Sequence, residues 1–81
     1  MNKVIVILYI HKLNKKIDIE IPLDITANDL VLALNKAYNL NINTENIMDV
    51  FLRTENPIAL LRGNRTLEEY KIRDGSIINV V

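Results

Sequence analysis

The chain has one histidine, His11, and it is the first residue whose type could do chemistry. A catalytic imidazole needs a carboxylate to orient it and a nucleophile to deprotonate. No such partner is suggested by position, and one imidazole with no carboxylate cluster at ligand spacing cannot build a zinc site. His11 therefore reads as an exposed turn residue. With Lys12, Lys15 and Lys16 it makes a small basic loop. Such a loop is either a solvated face or an electrostatic contact for acidic lipid or protein. Asp18 and Glu20 sit on the wet face of a strand and do not make an acid/base pair. Gly63 and Gly75 are too isolated to cradle a phosphate, and no Gly-Lys-Ser/Thr follows either. The absence of cysteine excludes a disulfide scaffold, a thiolate metal site and a cysteine nucleophile together, and fits a reducing compartment. No enzyme activity, cofactor or metal is expected.

Length and charge narrow the remaining classes. Eighty-one residues make one small domain, 1–81, with no room for a second core. Hydrophobic residues at 49% and charged residues at 25% are those of an ordinary globular domain, which excludes a disordered tail. Ten basic residues balance ten acidic ones, so the basic surplus of a nucleic-acid binder is missing. The 11 asparagines read as composition and not as function. Met1-Asn2-Lys3 followed by Val4 to Ile10 has the outline of a signal peptide. The apolar run is only seven residues and lacks a small-residue cleavage site, so it is read as a strand.

The elements follow from periodicity. Val4 to Ile10 is a first strand, apolar on both faces. Lys12 to Lys15 is a hairpin loop. Ile17, Ile19 and Ile21 alternate with Asp18 and Glu20, a second strand with one wet face, which Pro22 ends. Thr26 caps a helix whose Ala27, Leu30, Val31, Leu34 and Tyr38 share one side. Asn39, Asn41 and Asn43 stop it. Met48 to Arg53 is a third strand and Ile58 to Leu61 a short fourth. Thr66 and Glu69 form a capping box over a single turn. Asp74-Gly75 is a tight turn before the last strand, Ile77 to Val81. A hairpin, one crossing helix and further strands make an α+β domain with the helix on one face of a mixed sheet.

That order, at this length, resembles the β-grasp fold of ubiquitin. The most specific stretch is Asn64-Arg65-Thr66-Leu67-Glu68-Glu69-Tyr70-Lys71-Ile72, similar to ubiquitin's Gly-Arg-Thr-Leu-Ser-Asp-Tyr-Asn-Ile. The resemblance implies that Leu67 and Ile72 are core and that the Tyr70 hydroxyl ties to a nearby loop. These are structural roles and argue for fold, not function. A closer resemblance, over essentially the whole chain, is to the small bacterial ubiquitin-like YukD/EsaB family found with type VII (Ess) secretion systems. It rests on the length, on Pro22 and on the ending Tyr70-Lys71-Ile72-Arg73-Asp74-Gly75. It implies a non-enzymatic, cytoplasmic accessory or regulatory component whose partner is a protein, a soluble domain of the membrane machinery or a second copy. Ubiquitin and sulfur carriers end in a flexible Gly-Gly, whereas this sequence ends Val80-Val81, which argues against conjugation or sulfur transfer. The alternatives are a modifier or carrier lacking that tail, and a free adaptor unrelated to secretion.

The resemblance also directs attention to the sheet face opposite the helix. A hairpin of the family's length turns Ile5, Ile7 and Tyr9 inward and Val6, Leu8 and Ile10 outward, and a slip of one residue exchanges the two sets. On the last strand Ile78 and Val80 face in, and Ile77, Asn79 and Val81 face out. On the third strand Phe51 faces out, where ubiquitin carries its main recognition isoleucine; Val81 falls at ubiquitin's patch valine. Leu8, Phe51, Ile77 and Val81 are thus expected to form one apolar patch for protein binding, unless the loop Ile42 to Ile47 or the tail covers it.

Overall fold

The alternation of Ile17, Ile19 and Ile21 with Asp18 and Glu20 produces the strand it predicts. In the computed structural model, which describes residues 2–81, this strand is β2, Lys15–Pro22, paired antiparallel with β1, Lys3–Ile10. Met1, the first residue of the targeting motif considered above, lies outside the described residues. Helix α1 spans Ala27–Tyr38, and β3 (Leu52–Glu55), β4 (Ala59–Leu61) and β5 (Ile77–Val80) follow. The sheet order is β2-β1-β5-β3-β4, with β1 and β5 parallel and the other pairs antiparallel. The expected α+β arrangement, a mixed sheet with one main helix on one face, is the one observed.

One face of the sheet and one stripe of the helix make the core. Val6, Leu8 and Ile10 from β1 meet Ile78 and Val80 from β5, with Ala27, Leu30, Val31 and Leu34 from α1. The helix begins where Thr26 Oγ1 accepts a hydrogen bond from the Asp29 amide at 3.1 Å. It ends at Asn39, which takes the left-handed conformation at φ 52°. Asn14, Asn41 and Asn56 also have positive φ. Asparagine tolerates that region better than other non-glycine residues, so part of the asparagine content serves turns after all.

The first strand presents the face opposite to the one expected. Val6 and Leu8 are fully buried, whereas Ile5 is 53% exposed and Ile7 and Tyr9 are half-buried on the outer face. The hairpin connection sets this. Residues His11–Leu13 form a 3-10 turn closed by left-handed Asn14, so Ile10 pairs with Lys15 and Leu8 with Ile17. Side chains directly opposite in an antiparallel pair share a face. The even-numbered residues of β1 therefore join the inward isoleucines of β2, and one residue more or less in the turn would reverse them.

The third strand starts later than its alternation suggests. Ile47–Asp49 is a 3-10 turn, held by Asp49 and Val50 amides donating to Asn46 and Ile47 carbonyls, and pairing begins only at Leu52, opposite Leu61. The segment 62–72 behaves as expected. Leu67 and Ile72 are buried, and the Tyr70 hydroxyl donates to the Arg62 carbonyl at 2.7 Å. The Leu67 and Glu68 amides reach the Ile25 and Leu23 carbonyls, each at 3.0 Å, and lock this turn to the chain entering α1.

The capping box is complete. Thr66 Oγ1 accepts from the Glu69 amide, and Glu69 Oε1 accepts from the Thr66 amide and hydroxyl. The Thr66 amide hydrogen bond first, then the Thr66 hydroxyl, hold the Glu69 carboxyl below its ordinary value against the opposing effect of desolvation, with a smaller contribution from Arg65. A depressed carboxyl stabilises the fold above its unfolded pKa and loses that effect as pH falls through the folded one. The stability difference between wild type and Glu69→Gln should therefore stay constant above the ordinary carboxylate range and shrink on acidification below it. Urea midpoints across acidic pH would show this; a pH-independent difference would contradict it.

Candidate protein-interaction surface

The outer face of the sheet is built from the odd-numbered residues of β1, β5 and β3. Ile5, Ile7 and Tyr9 stand next to Ile77 and Asn79, because Ile7 pairs with Ile77 and Tyr9 with Asn79. Arg53 pairs with Asn79 and Glu55 with Ile77 on the far side. Phe51 and Val81 lie just beyond the paired ends of β3 and β5, 45% and 80% exposed. Both line a recess of about 190 Å³ with Ile42, Val50, Leu52, Arg53, Asn79 and Val80. Ile42 and Val50 form part of its wall and leave the phenyl ring accessible, so the loop before β3 does not cover it.

Two of the expectations for this face need correction. Leu8 is not on it, since its side chain is fully buried in the core, for the register reason given above. Nor do Phe51, Ile77 and Val81 make one unbroken apolar patch. Ile77 and Val81 are four residues apart, roughly 13 Å along an extended strand. The ground between them is polar. Asn79 Nδ2 donates to Glu55 Oε2 at 3.1 Å, and Asn79 Oδ1 lies 2.8 Å from His11 Nε2. A carboxylate only accepts, so the Asn79 amide group must face Glu55, and its oxygen then accepts a hydrogen bond from the His11 Nε2–H. The imidazole stacks on Tyr9 with centroids 3.8 Å apart, and Lys16 Nζ sits 4.9 Å over the Tyr9 ring. The face thus has an apolar spot at Phe51 and Val81, a polar row through Tyr9, His11, Asn79 and Arg53, and a second apolar spot at Ile5, Ile7 and Ile77.

His11 is accordingly a surface hydrogen-bond donor that helps fix the polar row. Around β4 stand apolar residues that sequence reasoning missed as a surface: Ile58, just before the strand and 91% exposed, and Leu60, at its middle and 38% exposed. They share a shallow apolar recess with Arg53, Thr54, Glu55, Ala59 and Asn79. All four residues 58–61 are apolar, so no alternation in the sequence marks which of them face out. Among the described residues no three His, Cys, Asp or Glu side chains gather as a metal site, and no helix is long and apolar enough to cross a membrane.

Residues 5–80 match the family described as "WXG100 protein secretion system (Wss), protein YukD". The chain belongs to the YukD family. Its fold is the ubiquitin-like β-grasp, as three solved structures show. One is a de novo designed protein based on ubiquitin, 16% identical with a TM-score of 0.67, covering 95% of this chain and 84% of that one. Another comes from work described as molecular mimicry of SUMO that promotes DNA repair, at 18% identity and a TM-score of 0.71, covering 100% and 92%. The third is the ubiquitin-like domain of Plasmodium falciparum Dsk2, at 21% identity and a TM-score of 0.63, covering 96% and 97%. At such identities the likeness is one of fold alone. Comparison with curated proteins gives no sequence match. Membership of YukD ties the chain to WXG100 secretion, whereas the β-grasp by itself accommodates many roles.

Proposed function

We propose that this YukD-family chain is one non-catalytic ubiquitin-like domain acting as a cytoplasmic accessory or regulatory component of a type VII secretion system. It works by docking the outer sheet face onto a soluble domain of the membrane machinery. Phe51 is the anchor, Val81 flanks it, and Ile77 with Ile7 provides the second apolar contact. The polar row through Asn79 fixes the orientation of the partner. The observation that supports this reading most is Phe51: a large aromatic side chain 45% exposed beside a recess, on a face with no helix over it. Aromatic residues in such positions carry a disproportionate share of binding energy.

The test is secretion itself. Cells lacking the gene are complemented with wild type or with Phe51→Asp, and WXG-type substrates are quantified in the medium. The variant is expected to accumulate as a folded protein yet to behave as the deletion does. Normal secretion with the variant would remove Phe51 from the mechanism. Normal secretion in the deletion strain itself would remove the secretion reading.

A further inference from the structure

A second recess, sharing Ile42, Val80 and Val81 with the one beside Phe51, lies at the end of the fold where β1 and β5 finish and α1 stops. It encloses about 310 Å³ and is lined by Ile10, Lys12 and Leu13, by the segment 38–42 with its Asn39 and Asn41, and by Val80 and Val81. That volume is at the small end of ligand-sized sites. One wall is fixed in place. Asn35 clamps the chain after the helix at two points, its Nδ2 donating to the Ile42 carbonyl at 3.1 Å and its Oδ1 accepting from the Ile42 amide at 2.9 Å. The recess is open, with Leu13 67% and Tyr38 36% exposed among polar Lys12, Asn39 and Asn41.

The charge around this recess is one-sided. Although the chain is neutral overall, the residues lining the recess include Lys12 and no Asp or Glu, and Lys15 and Lys16 follow on the same hairpin. Lys15 lies directly opposite Ile10, on the sheet face that bears the recess. Lys16 is turned to the other face, over Tyr9. A carboxylate at the end of Val81 would reduce this surplus without cancelling it. A preformed recess of mixed apolar and amide lining beside lysines, with no acidic side chain in its wall, is complementary to an acidic ligand with an apolar end. A membrane surface fits less well. Polybasic lipid contacts use about four to eight cationic residues on an open surface, and here only Lys12 and Lys15 share the side of the recess.

We propose that this recess binds an acidic peptide segment of a partner protein, one apolar side chain seated between Leu13, Tyr38 and Ile42 and flanking carboxylates facing Lys12 and Lys15. The site stands whether or not Phe51 is an anchor, and it gives the domain a second, charge-selective contact.

The experiment uses the full chain, isotope-labelled, titrated with capped peptides of about a dozen residues at low salt, where surface charge is least screened. The probes carry one central Phe, Leu or Met flanked by Glu and Asp. Controls replace the central residue by Ala, or the acids by Lys. Vesicles containing phosphatidylglycerol are tested in parallel. At least one acidic probe is expected to bind, with amide shifts concentrated on residues 10–13, 38–42 and 80–81. Lys12→Glu/Lys15→Glu should weaken it about tenfold or more, Tyr38→Ala comparably, and Glu68→Gln, on the exposed turn away from the recess, not at all. The proposal is overturned if no acidic probe binds, or if the Ala or Lys controls bind as well as the acidic probes. Shifts that fall elsewhere, or binding of vesicles in the absence of peptide binding, would overturn it too.

Discussion

Leu8→Ala is expected to destabilise the fold by about 3 kcal/mol, within the range for truncating a buried leucine that leaves a cavity. The side chain is fully buried between the sheet and α1, among Val6, Ile78 and Val31 in the same core cluster. A small domain has roughly 5–15 kcal/mol in all, so the loss is a large share of its stability. Ile5→Ala, three residues earlier on the outer face and half exposed, should change stability by less than about 1 kcal/mol. Urea midpoints of the two variants measure the contrast. The reverse order would mean that β1 presents its other face, and the interaction surface would have to be redrawn.

The second large effect concerns binding and leaves the fold intact. Phe51→Ala should cost on the order of 2 kcal/mol of affinity for the partner, close to thirtyfold, measured by calorimetry with the purified partner domain. Its own stability should fall by much less, because the ring is 45% exposed beyond the paired end of β3. A variant that unfolds would show Phe51 to be a packing residue. A variant that folds and binds as tightly as wild type would show that the anchor lies elsewhere.

The contrast between Leu8 and Phe51 also shows which parts of the structure were legible in the sequence. The face of β2 was readable because Ile17, Ile19 and Ile21 alternate with charges, and α1 because Thr26 and its apolar stripe obey local rules. The roles of Leu67, Tyr70 and Ile72 followed from resemblance, with the Thr66–Glu69 box as local support. The face of β1 was not readable. Both of its sides are apolar, so no alternation marks the inside, and the choice is made by the His11–Asn14 turn. Outward Phe51 was readable from its parity with Arg53, although the strand itself begins one residue later than Phe51. Asn79 was visible as an outward residue. Its effect was not, since His11 and Glu55 reach it from distant points in the chain and make a polar row across the expected patch. The recess at the basic pole depends on three segments meeting and on the Asn35 clamp, neither of which local pattern reports.

The most direct test of the docking account is affinity capture from native cells with wild type and Phe51→Asp side by side, both verified as folded, read by mass spectrometry. The account predicts that wild type retains components of the secretion machinery and that the variant loses them. Retention of the same machinery by both proteins would contradict it.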